Sequence, residues 1–210
     1  MVAVKNEAGR QYAGASAPER RADRRSRLIE AGLDLVLESG VASLTVIGVC
    51  TRAGLTKRYF YESFDGLDTL LATTLTEVLS GVAHTIDTAD PEATSAPEEI
   101  NRLAVEAILT AFDDPRVARL YLESAGYPHL LEARSTAVSA FVDQLLKLFT
   151  GRDESTARET MIAHLLISGT THVVALWLGG DLDMTREQFV ATLVELGTEA
   201  ARLINTTQGS

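Results

Sequence analysis

Apolar residues recur at helical spacing along almost the whole chain. Leu28, Ala31, Leu35 and Val36 stand at i, i+3, i+7 and i+8 and predict a first helix over about 19–38, closed by Gly40. Val46, Val49, Cys50 and Ala53 repeat the pattern in a short second helix opened by Thr45 and broken by Gly54. Thr56 opens a third short segment, in which Phe60 and Phe64, four residues apart, turn inward beside Leu55. Two short helices sharing one glycine turn make a helix-turn-helix, and the pattern leaves Lys57, Arg58, Tyr59, Tyr61, Glu62 and Ser63 on or near its outer face.

Beyond this unit the helical period continues. Leu67, Leu70, Leu71, Leu75 and Val78 predict a long connecting helix, and TADPEATSAPEE is a loop. Pro97, Asp114-Pro115 and Pro128 mark further helix starts, the last helix of that group running to about Phe149 before Gly151. Two apolar helices over about 155–178 and 185–204 end the pattern, separated by Gly179-Gly180-Asp181 and with Thr185 as a cap. No period-2 strand signal appears, so the fold class is all-α with about nine helices. The divisions are a tail at 1–17, a helix-turn-helix domain at 18–66, a connecting helix at 67–90 and a larger helical domain at 91–210.

Composition adds little, but charge distribution adds a good deal. With 46% apolar and 23% charged residues the chain is an ordinary globular protein. The net charge of -10 conceals an asymmetry: residues 1–60 carry ten Lys/Arg against six Asp/Glu, whereas 61–210 carry nine against twenty-three. A positive end on an acidic body suits a polyanion contacted at that end, or else an uneven solvated surface. Arg20, Arg21, Arg24, Arg25 and Arg27 crowd the first turns of the first helix, against its macrodipole, and an external anion would relieve that cost.

The lone Cys50 excludes an intramolecular disulfide and lies on the apolar face with Val46 and Ala53, where a small buried hydrophobe is expected. The N-terminal residues have no apolar leader, and no stretch reaches about 18 uninterrupted apolar residues, so a cytoplasmic protein without a membrane span is expected. His164 and His172 stand eight apart with no acidic partner in step, so neither a metal nor another cofactor is expected.

At residues 25–75 the chain resembles the TetR/AcrR family of regulators. Leu28-Ile29 with Ala31, then Gly40, Leu44-Thr45, Ala53-Gly54-Leu55-Thr56-Lys57, Tyr61, Phe64 and Leu70 stand in the order and spacing of that family's DNA-binding domain. The resemblance implies a ligand-responsive regulator, by family default a repressor, that binds double-stranded operator DNA as a homodimer. It implies that Thr45, Lys57 and Tyr61 hold phosphates, while Thr56, Arg58, Tyr59 and Glu62 face base edges. Arg58 is the first choice for a guanine contact. The sequence departs from the family where Arg58 replaces a small residue and Leu67 replaces a basic one; Arg58 or the cluster Arg24, Arg25 and Arg27 compensates in this reading. Gly48 is a further departure, costing helix stability without evident gain.

In the larger domain the resemblance implies a small-molecule pocket, for which Tyr121, Tyr127, Phe141, His164 and Trp177 are candidates beside His129 and His172, with an apolar effector. It also implies a subunit contact through the last two helices, with Leu165, Gly169, Val173, Leu176, Val190, Leu193, Gly197 and Ala201 as candidates, unless those stripes pack within one chain. No nucleophile-base pair, phosphate loop or metal spacing supports an enzyme. Two rivals stay open: a carrier or enzyme-like helical protein with a vestigial DNA-binding element, and a DNA-organising protein that senses no ligand.

Overall fold

The computed structural model describes residues 16–89 and 96–206, so the expected tail is outside it except at its end. There Ser16 belongs to the first helix instead: its hydroxyl accepts from the Glu19 N–H, and Glu19 returns a carboxylate bond to the Ser16 N–H. This reciprocal cap starts α1 (Ala17–Ser39) earlier than the apolar periodicity indicates. A 3₁₀ turn, Val41–Ser43, leads to α2 (Val46–Ala53) and α3 (Lys57–Tyr61). The helices α4 (Leu67–Asp87), α5 (Pro97–Ala111) and α6 (Pro115–Glu123) follow, then α7 (Pro128–Thr150), α8 (Ala157–Leu178) and α9 (Arg186–Asn205). The described residues form nine α-helices and no strand, as the periodicity predicts.

Caps set most of these boundaries. Thr45, Thr156 and Thr185 each accept a bond from the backbone N–H three residues on, satisfying a donor the helix leaves free. Gly54 sits at φ +63° and ends α2, a left-handed geometry that costs glycine little. Gly48 also has a reason to lack a side chain. A Cβ there would lie 3.1 Å from the Thr45 hydroxyl oxygen, crowding the cap of its own helix.

The largest apolar cluster runs unbroken from the helix-turn-helix into the body, from Leu28, Val36, Val49, Phe60 and Phe64 through Leu70 and Leu75 to Leu109, Tyr121 and Leu193. The spine of this cluster is α4. At its N-terminal end Leu70 meets α1 so closely that a Cβ on Gly32 would stand 2.8 Å from its Cδ2. Further along, α4 packs on α5 and α7, and α5 packs on α9. A second cluster, including Ile100, Val142, Leu146, Ile167 and Ile204, fills the far end between α5, α7, α8 and α9.

The α5–α9 seam corrects one expectation. Val190, Leu193, Gly197 and Ala201 are buried within the chain, so they are core residues and not a subunit contact. Gly197 lacks a side chain because Asn101 of α5 occupies that space, 2.7 Å from where its Cβ would be. Glycine serves an intramolecular approach here. Gly197→Ala should therefore destabilise the fold by about 1–3 kcal/mol, whereas Gly81→Ala, at an exposed α4 position open to solvent, should stabilise it by about 0.5–1 kcal/mol. Denaturant unfolding of both variants checks this; equal effects would contradict the described seam.

Candidate functional site

The helix-turn-helix is held from beneath by aromatic packing. Phe60 is fully buried and meets Phe64 at a ring separation of 6.0 Å, while Tyr61 stands edge-on to Phe60 at 5.4 Å. Burying Phe60 and Phe64 turns the rest of α3 outward. Thr56, Lys57, Arg58, Tyr59, Tyr61 and Glu62 all lie exposed on one end of the molecule. Phe64 itself falls just beyond α3, with its N–H donating to the Phe60 carbonyl. Thr56 is exposed at the cap position of α3 and makes no side-chain cap bond, while the Thr45 hydroxyl is engaged in capping α2.

Arg58 is the most prominent cation of this surface, its side chain 84% exposed, with Nε donating to Glu62 Oε1 at 2.9 Å. That pair lies on one helical face at i, i+4, and an exposed ion pair of this kind is weak enough to exchange for another anion. The Lys57 side chain makes no hydrogen bond or ion pair among the described residues.

The arginines of α1 are engaged differently from the expectation of an external anion. Arg21 donates to the Glu62 carbonyl, Arg24 lies over the Tyr59 ring at 4.6 Å, and Arg27 donates to the Ala53 carbonyl at 2.6 Å. Arg25 pairs with Glu77 at 2.6 Å and lies over the Phe64 ring. Carbonyls, rings and a carboxylate inside the chain thus relieve the cost of these charges at the helix start. Arg25 and Arg27 act as braces between α1, α2 and α4, whereas Arg24 backs the outward Tyr59. Leu67, where a basic residue is the family habit, is half-buried against the core.

Between α4, α5, α7, α8 and α9 lies a cavity of about 80 Å³ with a predominantly apolar lining that includes Val82, Ile108, Val138, Phe141 and Leu145. Tyr121 and Phe141 line it, as expected from the sequence. Tyr127, His164 and Trp177 do not. Trp177 stacks on Phe189 at 5.0 Å and donates to the Met184 carbonyl, pinning the α8–α9 turn; Tyr127 caps the start of α7 beside His129. Half-exposed His164 is not part of the lining. Sequence reasoning missed Asn101 and Arg134, although each stands in phase with an apolar stripe: Asn101 with Ala104, Val105 and Ile108, Arg134 with Leu130, Val138 and Phe141. A polar residue on an apolar stripe was the available signal.

Helix α6 joins the two regions. Its Tyr121 hydroxyl donates to the Thr171 carbonyl of α8 at 2.8 Å, while its other face grips α1. Arg116 donates to Glu30 and Asp34 of α1 and to Asp114; Arg119 donates to the Leu37 carbonyl, and Glu123 accepts from the Val41 N–H at 2.7 Å. These bonds hold the Arg116 guanidinium more firmly protonated than usual, and the bond from Arg116 holds the Asp114 carboxyl below its ordinary value.

On the outer side of the last two helices the surface is apolar. Met161 and Leu165 of α8 are 57% and 69% exposed, and Leu196 and Leu203 of α9 are also exposed. Gly169 is exposed in the same α8 row, while Val173 and Leu176 are half-buried. Among the described residues α8 is long and apolar enough to cross a membrane, and one of its sides packs on α7 and α9.

No family model and no curated protein matches this sequence. Solved structures do. A transcriptional regulator from Rhodococcus sp. Rha1 superposes with a TM-score of 0.62 at 21% identity, over 87% of this chain and 96% of that one. A TetR-family transcriptional regulator from Streptomyces coelicolor does so at 0.65 and 18%, over 87% and 83% of the two chains. The multidrug binding protein EbrR, complexed with imidazole, does so at 0.58 and 20%, over 82% and 94%. The class of molecule is thereby set: an all-α chain with an N-terminal helix-turn-helix. More particularly, the fold is that of the TetR-family regulators.

The lowered Asp114 carboxyl gives the capped start of α6 a pH dependence. A carboxylate whose folded value lies below its unfolded one adds stability above the ordinary carboxylate range and loses it as pH falls through the folded value. Thermal melts should therefore show a drop in stability from pH 6 to pH 3 that is shallower in Asp114→Asn, which keeps a capping oxygen but cannot titrate. Parallel pH profiles for the two proteins would contradict this.

Proposed function

We propose that this protein is a DNA-binding transcriptional regulator that acts as a homodimer and releases its operator when a small apolar molecule enters the body of the subunit. The observation that carries the reading is the outward row Thr56, Lys57, Arg58, Tyr59, Tyr61 and Glu62 on a helix-turn-helix held rigid by buried Phe60. In this reading α3 enters the major groove, Lys57 and Tyr61 contact phosphates, and Arg58 leaves Glu62 for the paired acceptors of a guanine. Thr45, already a helix cap, presents its exposed backbone end to the phosphate chain.

The homodimer is supported by the exposed apolar row on α8 and α9, which a second copy would cover; an apolar surface of this kind is otherwise an aggregation liability. Leu165 and Gly169 belong to the proposed contact, joined by Met161, Leu196 and Leu203. Two recognition helices would then meet successive major grooves about 34–36 Å apart.

The effector reading is supported by the cavity and by α6. An occupant touching Tyr121 would disturb the helix whose opposite face holds α1 through Arg116, Arg119 and Glu123. Differential affinity for two positions of α6 would shift the spacing of the recognition helices. EbrR, a multidrug binding protein, shares this fold, which agrees with such a cavity.

Operator selection with the full-length protein, followed by binding titrations, tests the reading. Arg58→Ala should weaken specific binding by about 1–3 kcal/mol and relax one base position, while Lys57→Ala should weaken all sequences alike and lower the salt slope by about one. Recovery of no specific sequence would refute the regulator. Separately, Leu165→Glu should convert a sedimenting dimer to monomer and abolish operator binding; a wild-type protein that sediments as a monomer would refute the dimer.

A further inference from the structure

The cavity holds two polar groups that its apolar walls leave without suitable partners. Asn101 is 5% exposed, and its Nδ2, buried in the wall beside Gly197, has no acceptor. A buried amide N–H without an acceptor is costly, and such a group survives where an absent molecule supplies the acceptor. Arg134 is half-buried and lies over the Tyr121 ring at 4.2 Å. Its two terminal nitrogens donate to neutral oxygens, the Ser124 hydroxyl and the Tyr121 hydroxyl, each at 3.1 Å.

The chain carries 29 acidic residues, and ion pairs serve the arginines of α2, α3 and α6, yet no described carboxylate lies within 4.0 Å of Arg134. The cavity lining contains no Asp or Glu. A guanidinium at the edge of an apolar chamber therefore retains an unused preference for a planar, doubly accepting anion. Its neutral partners can be given up. The Ser124 hydroxyl already donates to the Tyr121 carbonyl at 2.6 Å, and the Tyr121 hydroxyl to Thr171.

We infer that the cavity takes a monoanionic amphiphile, an apolar chain or ring system ending in a carboxylate, with the acid on Arg134 and a further oxygen accepting from Asn101. This inference rests on the effector reading and names the chemical class of the effector. It separates acids from neutral and cationic molecules of the same size. A cation would meet Arg134 with no wall carboxylate to offset the repulsion, and a neutral alcohol would leave the guanidinium unpaired.

Calorimetric titration of the full-length protein with straight-chain carboxylates of six to twelve carbons, the matching alcohols and the matching alkyltrimethylammonium ions, all below micelle-forming concentrations, tests it. At the best-fitting length the acid should bind at least tenfold more tightly than the alcohol, and the cation more weakly still. Arg134→Gln should lose at least tenfold in acid affinity with the alcohol within twofold, and Arg134→Lys should retain part of the acid preference. Asn101→Leu should raise the melting temperature of the free protein and weaken a mid-chain hydroxy acid of the best-fitting length about fivefold while leaving the plain acid within twofold, a combination that a merely structural asparagine would not give. Equal binding of acid and alcohol, tighter binding of the cation, an acid preference that survives Arg134→Gln, or no binding by any acid would overturn the inference. Operator release by an alcohol without acid preference would sink the acid class and leave the regulator standing. Acid binding that leaves operator affinity unchanged would keep this site and sink the effector reading.

Discussion

The rest of the molecule depends on how closely α4 lies against α1. Leu70 sits where a side chain on Gly32 would stand, and Leu71 and Leu75 continue the same buried face. Close-packed interiors transmit displacement because their side chains have few alternative arrangements. The helix that supports the helix-turn-helix at its first turns also contributes Leu79 and Val82 to the cavity wall. A small glycine at one crossing thereby places the DNA-facing end and the cavity on one rigid element.

Against that apolar spine, the polar contacts of α6 form a second link of a different kind. Arg116, Arg119 and Glu123 reach α1 through charged and backbone bonds at a partly exposed seam, where ion pairs contribute little net stability but fix geometry. Tyr121 projects from the opposite side into the cavity. An apolar spine that resists movement beside a polar seam that tolerates it suits a hinge, and the proposed release of DNA needs no more than a small rotation of α6 relative to α4.

Much of the architecture was legible in the chain because helical periodicity is a local property. The short helices around Gly54, the inward Phe60 and Phe64, the proline starts at 97, 115 and 128 and the threonine cap at 185 each depend on residues within one or two turns. The outward row on α3 was legible for the same reason: once two phenylalanines point inward, their neighbours point outward. The cavity was only half legible. Tyr121 and Phe141 were named because aromatic residues suggest pockets, while Asn101 and Arg134 went unnoticed, although their places on apolar stripes set them apart.

By itself the sequence determined the helices, their caps, the exposed composition of α3 and the concentration of positive charge at the N-terminal end, since all of these follow from spacing and side-chain chemistry along one chain. Only the tertiary structure decided what each stripe meets. Val190, Leu193, Gly197 and Ala201 read as well for a partner subunit as for α5, because an apolar face specifies burial without specifying against what. The α1 arginines, read from the sequence as wanting an external anion, meet Ala53, Glu62 and Glu77, which only the fold brings within their reach from other parts of the chain. Periodicity tells a side chain which way to face; contacts across dozens of residues of sequence decide whether it finds a core, a brace or an open cavity there.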